Sequence, residues 1–537
     1  MPRALVFRSS HFALAAALSI SSAACGGSDA SARVSPDAGE DVAATSAPVP
    51  ADTGVDADTG PGTVRPAACL GDAATLEDAA PPPPTACLML GGAPFDAGAD
   101  ASGDVGAEAS TDGSFADAAD GADAADDAGD AIASEAGPST DVYPAFPIDA
   151  PHLVNHGGPV LANPKLVTVS WPDDSDAPAL EAFVDQLGQT RYWNAITCEY
   201  GVGPAASGAC NHVHMLTAAP DTLLDSQADA LVRNSLRDPA ASGWPAPTPD
   251  TLYVLFISDA TDFQMHTQQG LMSACSSGIG GYHTSTFLSD GTSITYAVVP
   301  RCPGFGAPVD VATNSASHEI AEASLDPTPT TNSGWRDFDD AHAVWNAFLV
   351  GQTENGDACE FYRDATFTSS EVGHDVQRQW SNASFAAGHA PCVPSTGTYF
   401  NVVPLDLVSV QFDAPNFGSG GGPVTTEGVD IPVGHTGSFR VGFYSDGPMA
   451  NDWDLKVVEG NDFPGTAPGG GGGAAYAGGR LSISVDKTQG RNGTIATVTV
   501  RVNSLDTTLA ANMVTLVSTD PLHKGVSHYW PVLITSN

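Results

Sequence analysis

The chain has 537 residues, room for two or three domains, and its 63 acidic and 19 basic residues give a net charge of −44. Nucleic acid and anionic lipid surfaces should repel such an acidic chain, so we expect no nucleic-acid partner. After residue 25, no apolar run reaches the roughly 18 residues that a membrane-spanning helix requires.

The N-terminus has the features of an export signal. Arg3 and Arg8 precede a short apolar stretch at residues 12–20, and small residues then lead to Cys25. This ending resembles a bacterial lipobox, whose cysteine carries the lipid. We therefore predict a signal peptide over residues 1–25 with lipidation at Cys25. The resemblance implies a membrane partner through the lipid anchor, at the outer membrane or cell surface; without the lipid, the protein would be secreted.

The next segment, residues 26–145, has the composition of a disordered linker. It contains 23 acidic residues but only Arg33 and Arg65 as bases, and it is dominated by Ala, Asp, Gly, Ser and Pro. It has too little apolar surface to offset the conformational entropy lost on folding, and its like charges repel one another. We expect an extended tether.

Residues 146–395 have the pattern of an α+β domain. Apolar residues alternate near residue 167, as in a strand, and longer segments show helical spacing or continuous apolar runs. The pattern predicts strands at 167–171, 252–257 and 295–299, and helices at 177–196, 223–236 and 310–325. Asp326-Pro327 should end the last helix.

The cysteines indicate disulfides in an exported protein. If Cys25 is lipidated, an even number remains for pairing: Cys69, Cys87, Cys198, Cys210, Cys275, Cys302, Cys359 and Cys392. Cys69 and Cys87 would close a loop within the linker. Among the fifteen possible pairings of the six cysteines in the α+β domain, we favour the local pair Cys198–Cys210, then Cys275–Cys302 and Cys359–Cys392.

A candidate metal site lies on the helix at 310–325. His318 and Glu322 are four residues apart, so both side chains lie on one helical face and can bind one divalent cation. Glu319 could accept a proton from a water molecule whose pKa the metal lowers. The motif resembles the zincin helix, His-Glu-x-x-His, with Glu322 in place of the second histidine. This harder ligand set tolerates Zn²⁺, the metal we favour, and also suits Ca²⁺ or Mn²⁺.

The third ligand must come from elsewhere in the chain. We favour Asp357, since Gly356 permits a tight turn before it and Cys359 can fix that turn covalently. Glu354 and His283 are the other options. The alternative for His318, Glu319 and Glu322 is an ordinary solvated helix face.

Several motifs in order resemble the phosphate-induced, EXORDIUM-like family and its bacterial relatives. They include Cys302-Pro303-Gly304, the Ser-His-Glu-x-x-Glu helix that ends in Asp-Pro, and the segment from Glu354 to Cys359. The Val-Gln-x-x-Trp-Ser-Asn-Ala motif begins at Val376. Relative to the family, residues 341–350 should form an inserted loop. The resemblance covers roughly residues 150–395 and implies an extracellular or cell-wall location, but no particular reaction.

Residues 396–537 alternate apolar and polar side chains in seven segments separated by turn residues, which predicts an immunoglobulin-like β-sandwich. For the whole chain, the first hypothesis is a surface-tethered, metal-dependent hydrolase of zincin type, with a peptidase as the favoured activity. The expected partner is an extracellular protein or polysaccharide, as substrate or ligand. The alternative is a non-catalytic cell-surface or matrix-binding protein with a structural metal.

Overall fold

The computed structural model describes Thr63–Val64 and residues 141–536, with gaps at 268–269, 305, 350–352, 396, 415–421, 461–478, 508 and 523–525. The predicted signal peptide, the lipidated Cys25 and the Cys69–Cys87 loop lie outside these residues. No helix in the described part of the chain has the length and apolarity needed to cross a membrane.

The first domain mixes strands with helices. Its strands are β1 Thr63–Val64, β2 Leu153–Asn155, β3 Lys165–Ser170, β4 His212–Met215, β5 Thr222–Leu224, β6 Thr251–Ile257, β7 Asp262–Thr267, β8 Gly270–Ser273, β9 Tyr282–Phe287, β10 Ser293–Pro300, β11 Trp335–Phe338, β12 Thr366–Thr368, β13 Asp375–Gln377, β14 Gln379–Trp380 and β15 Cys392–Val393. Its helices are α1 Ala177–Leu187, α2 Arg191–Thr197, α3 Asp225–Arg237, α4 Pro239–Ser242, α5 Ala274–Ser277, α6 Pro308–Leu325, α7 Ala343–Phe348, α8 Asp357–Glu360 and α9 Asn382–Ala386.

A six-stranded sheet in the order β1-β4-β3-β6-β10-β9 organises this domain. Strands β4, β3, β6 and β10 are parallel, while β9 runs antiparallel to β10. Every residue of the central strand β6 is buried, as expected for a parallel strand covered on both faces. Alternate residues of β6 face two separate cores: Leu252 and Val254 pack in the core that includes α6, and Tyr253 and Leu255 in the core that includes α3.

Two expectations for the first domain need correction. The helix predicted over residues 177–196 is broken into α1 and α2. At the break, a Cβ on Gly188 would lie 2.4 Å from the carbonyl oxygen of Ala205, so the chain passes too closely for a side chain there. In addition, Thr63 and Val64 pair with His214 and Met215 of β4. This short strand is an exception within the segment predicted to be a disordered tether.

Helix α6 is buried along most of its length. It begins with Pro308 as its first residue, where a missing N–H is tolerated, and it ends before Asp326. Every residue from 311 to 325 is buried, including the polar and charged ones. The alternative of a solvated helix face is therefore wrong, because this helix lies between the sheet and the segments that follow it.

The second domain consists of two facing sheets, in agreement with the predicted β-sandwich. Its strands are β16 Phe400–Pro404, β17 Val408–Ala414, β18 Gly422–Asp430, β19 Thr436–Ser445, β20 Trp453–Glu459, β21 Leu481–Val485, β22 Gln489–Gly490, β23 Ile495–Val502, β24 Asn512–Thr519 and β25 Ser527–Thr535. One sheet has the order β16-β19-β23-β21 and the other β17-β18-β25-β24-β20-β22. All seven predicted strand segments are present. The strands β16, β18 and β22 were not predicted.

The two domains share one apolar core. The ring centroids of Trp345 in α7 and Trp530 in β25 are 5.9 Å apart, and those of Phe385 and Trp530 are 5.4 Å apart. Trp345 belongs to the segment 341–350 that was expected to be an inserted loop. Instead the segment contains helix α7, and it packs against the sandwich. The sandwich is therefore part of the folded body of the protein rather than a separate appendage.

Two of the predicted disulfides are confirmed. Cys275 is bonded to Cys302, and Cys359 to Cys392. Cys198 and Cys210 also take part in disulfides, and their pairing with each other stays a prediction. The Cys359–Cys392 bond joins α8 to β15, and α8 begins with a candidate metal ligand, Asp357.

Candidate metal site

Helix α6 carries the first three candidate residues into the protein interior. His318, Glu319 and Glu322 are 3%, 1% and 0% exposed. The Nε2 atom of His318 lies 3.0 Å from Oε2 of Glu322, one helical turn away. The spacing that suggested a shared ligand pair does bring these two side chains together.

The turn before α8 contributes the predicted third ligand. Oε1 of Glu322 accepts hydrogen bonds from the backbone N–H groups of Gly356 and Asp357, at 3.1 and 3.0 Å. This contact brings the Asp357 carboxylate over the helix, with Oδ1 3.7 Å from Nε2 of His318. Gly356 is required for the approach, since a Cβ there would lie 2.8 Å from each of Gln379 Oε1, Glu322 Oε1 and His318 Nδ1.

The other two options for the third ligand also lie at this site. His283 extends from the edge strand β9, and its Nδ1 is 3.4 Å from Oε2 of Glu319 and 3.7 Å from Oε2 of Glu322. Its Nε2 lies 3.2 Å from the backbone oxygen of Asp326 and 3.8 Å from Oε1 of Glu354. All five candidate ligands and the candidate base Glu319 therefore converge on one buried region. We call this region the α6 cluster; it contains His283, His318, Glu319, Glu322, Glu354 and Asp357.

Three further residues at the site were not identified as functional from the sequence. The Gln377 side chain contributes to the raised pKa of His318 and donates a hydrogen bond to the backbone oxygen of Gly356. Asp326 was interpreted only as the end of the helix, and Arg336 received no role. The Val-Gln-x-x-Trp motif that contains Gln377 was the one available signal, but a motif alone does not reveal what its glutamine contacts.

Burial and mutual charge shift the pKa values of these groups together. Burial raises the pKa of Glu322 well above its usual range, and the neighbouring carboxylates of Glu354 and Glu319 raise it further. Burial and the neighbouring Glu322 raise the pKa of Asp357 well above its usual range. Burial lowers the pKa of His283, but the surrounding carboxylates, Glu354 foremost, outweigh this effect and raise it to about 9.

The pKa values of Asp326 and His318 are raised as well. Burial and the charge of Glu354 raise the pKa of Asp326 to about 7. Burial opposes protonation of His318, yet the charges of Glu319 and Asp357 raise its pKa overall. Arg336, near Asp326 and Asp337 at 3.8 and 3.6 Å, is the guanidinium at the edge of the cluster. The site is therefore a buried excess of acidic groups, an environment that favours a bound cation.

The distances suit metal coordination. With bonds of about 2.1 Å, tetrahedral ligands are about 3.4 Å apart. The nitrogen–oxygen distances here, from 3.0 to 3.7 Å, bracket that value. Two groups have ligand atoms within 4.8 Å of one another: His318, Glu319 and Glu322, and His283, Glu322 and Glu354. A separate, less buried group consists of Asp149, His342 and Glu427.

Comparison with known proteins adds little to this description. No protein-family model matches the sequence, and no curated protein matches it either. Among solved structures, domains 4 and 5 of the S-layer protein SbsC match at 15% identity over 30% of this chain and 84% of that chain, with a TM-score of 0.13. A structure of SbsC domains 1–6 matches at 14% identity over 26% of this chain and 20% of that chain, with a TM-score of 0.14. Scores this low support no inference about fold or function.

Proposed function

We propose that this protein is an exported, metal-dependent hydrolase of zincin type, a peptidase, with its active site on helix α6. The observation that carries the proposal is the grouping of His318, Glu319 and Glu322, whose ligand atoms lie within 4.8 Å of one another in the interior. A helix that presents a histidine, a carboxylate ligand and a second carboxylate at one point has the components for metal-assisted hydrolysis.

The residues divide into two roles. His318, Glu322 and Asp357 would hold the cation, Zn²⁺ in the first instance and Ca²⁺ as the alternative. When bound, a divalent metal acts as a Lewis acid and lowers the pKa of water toward neutrality. Glu319 would be the general base, and its Oε2 lies 3.4 Å from Nδ1 of His283.

The proposed location follows from the N-terminal sequence. The apolar stretch and Cys25 suit an acylated exported protein, and disulfides are typical of oxidising compartments. We place the protein at the cell surface, anchored through Cys25, with an extracellular protein as substrate.

A second candidate function is supported by the burial of the site. The side chains of His318, Glu322 and Asp357 are at most 4% exposed, whereas hydrolysis requires access for water and substrate. A cation held this deeply would stabilise the fold of a non-catalytic matrix-binding protein. In that role the negative charge of Glu319 would help to hold the cation, and Glu319 would not act as a general base.

An activity screen distinguishes the two functions. The metal-loaded protein and its Glu319→Gln variant would be assayed on casein, denatured collagen and peptidoglycan. If the protein is a hydrolase, we expect it to cleave a substrate, and we expect the cleavage rate to fall about 10²–10⁴-fold in the variant while the metal content is retained. Glu427→Gln, a half-buried carboxylate outside the α6 cluster, is the matched control and should keep full activity. Bound metal without cleavage of any substrate would favour the structural role.

A further inference from the structure

Glu322 belongs to both groups of potential ligands in the α6 cluster. One group contains His318 and the other contains His283 with Glu354. The Oε2 atom of Glu322 lies between the two histidines, 3.0 Å from Nε2 of His318 and 3.7 Å from Nδ1 of His283. A carboxylate in that position can bridge two cations.

His283 is anchored through one ring nitrogen and directs the other at Glu322. Its Nε2 lies 3.2 Å from the backbone oxygen of Asp326, which leaves Nδ1 facing the carboxylates. Metal-binding histidines have this arrangement, one nitrogen fixed by a polar neighbour and the other directed at the ion. His318 also directs a ring nitrogen at Glu322: its Nε2 lies 3.0 Å from Oε2 of Glu322 and makes no hydrogen bond within the described residues.

The cluster contains enough carboxylates to neutralise two divalent cations. Glu319, Glu322, Glu354 and Asp357 are all buried and together carry four negative charges when ionised. Arg336 is 4.0 Å from Glu354 but lies closer to Asp326 and Asp337. Several carboxylates buried close together are favourable only when cations lie among them. Two divalent cations would balance the four carboxylates.

We propose that the α6 cluster is a dinuclear site in which Glu322 bridges two divalent cations. The first is held by His318, Glu322 and Asp357, and the second by His283, Glu322 and Glu354. The inference rests on the proposed cation site and adds a second ion to it. Bridged ions in two-metal sites are about 3.5–4 Å apart, which suits hydrolysis because the pair can act on the attacking and leaving oxygens.

The test is metal stoichiometry with Mn²⁺ as the probe. The full mature protein, freed of metal by dialysis against a chelator, would be titrated with Mn²⁺ and followed by calorimetry and EPR spectroscopy. We expect two equivalents and an exchange-coupled spectrum, since a shared carboxylate couples the two ions. Glu354→Gln should bind one equivalent and give the spectrum of an isolated ion, and His283→Gln should do the same.

Glu427→Gln is the control, because it alters the separate group with Asp149 and His342. It should retain two equivalents. A single equivalent in the parent protein, or a loss of one equivalent in Glu427→Gln with two kept in Glu354→Gln, would overturn the dinuclear proposal and leave the proposed function intact. No binding to the parent protein would refute the cation site itself. The parent measurement depends on no variant, so it stands even if Glu354→Gln fails to fold.

Discussion

The two carboxylate oxygens of Glu322 contact different partners, and Oε2 is the one that faces His318. Oε1 accepts two backbone hydrogen bonds from the turn before α8, and Oε2 lies 3.0 Å from Nε2 of His318. The backbone contacts fix the carboxylate, so its other oxygen is held at the histidine. A ligand pair whose geometry is fixed by contacts from outside the helix loses little conformational entropy when it binds a cation.

This arrangement predicts that Gly356→Ala weakens metal binding. The new Cβ would lie 2.8 Å from atoms of Glu322, His318 and Gln379, so these side chains would have to move apart. We expect metal affinity to fall at least about tenfold, equivalent to about 1.4 kcal/mol, as measured by calorimetric titration. Gly447→Ala, whose Cβ would make an ordinary contact with Thr398 at 3.4 Å, is the control. Unchanged affinity in Gly356→Ala would show that the turn does not position the ligands.

The shared core predicts that the two domains unfold together. Trp345 and Trp530 are 1% and 2% exposed, with their rings 5.9 Å apart. Trp345→Ala should lower the free energy of unfolding by about 3–5 kcal/mol, as for other buried large-to-small changes. Chemical denaturation should follow a single transition in both proteins.

Phe287→Ala is the matched control, because Phe287 is 48% exposed and its removal should change stability by less than about 0.5 kcal/mol. Two separate transitions in the parent protein would contradict the account of one continuous core.

The strands were easier to predict than the site, for a physical reason. Alternation of apolar and polar residues reports local burial, so the sandwich strands and the run at 252–257 could be identified from neighbouring residues. The ligand pair His318 and Glu322 was also predictable, since helical spacing is local. The burial of α6 was not, because the groups that cover its polar face, such as Gly356 and Gln377, come from distant segments. The packing of Trp345 against Trp530 likewise depends on tertiary structure.

A buried histidine in the sandwich predicts acid sensitivity. Burial lowers the pKa of His528 to about 4, despite the opposing charge of Asp364. The imidazole packs against Tyr399 and Phe400, with ring centroids 4.5 and 4.8 Å away. Its ordinary pKa is 6.5. The unfolded chain therefore takes up a proton at a higher pH than the folded protein does. The contribution of His528 to stability should therefore fall by about 3 kcal/mol as the pH drops from about 6.5 toward 4.

Replacement of this histidine isolates its contribution. In His528→Leu, the melting temperature should fall less between pH 7 and pH 4.5 than in the parent protein, because no imidazole remains to be protonated. The exposed His435 provides the control variant His435→Gln, which should keep the parent's pH dependence. Equal acid sensitivity in His528→Leu and the parent would contradict a neutral buried imidazole.

Metal content is the most direct test of the cation site on α6. The purified mature protein and the variants Glu322→Gln and Glu319→Gln would be equilibrated with Zn²⁺, dialysed and measured by inductively coupled plasma mass spectrometry. The account predicts bound metal in the parent protein, loss of metal and of thermal stability in Glu322→Gln, since metal binding is coupled to folding, and retained metal in Glu319→Gln. Less metal in Glu319→Gln than in Glu322→Gln would reverse the assigned roles. If neither substitution changes the metal content, helix α6 does not hold the metal and the proposed function is wrong.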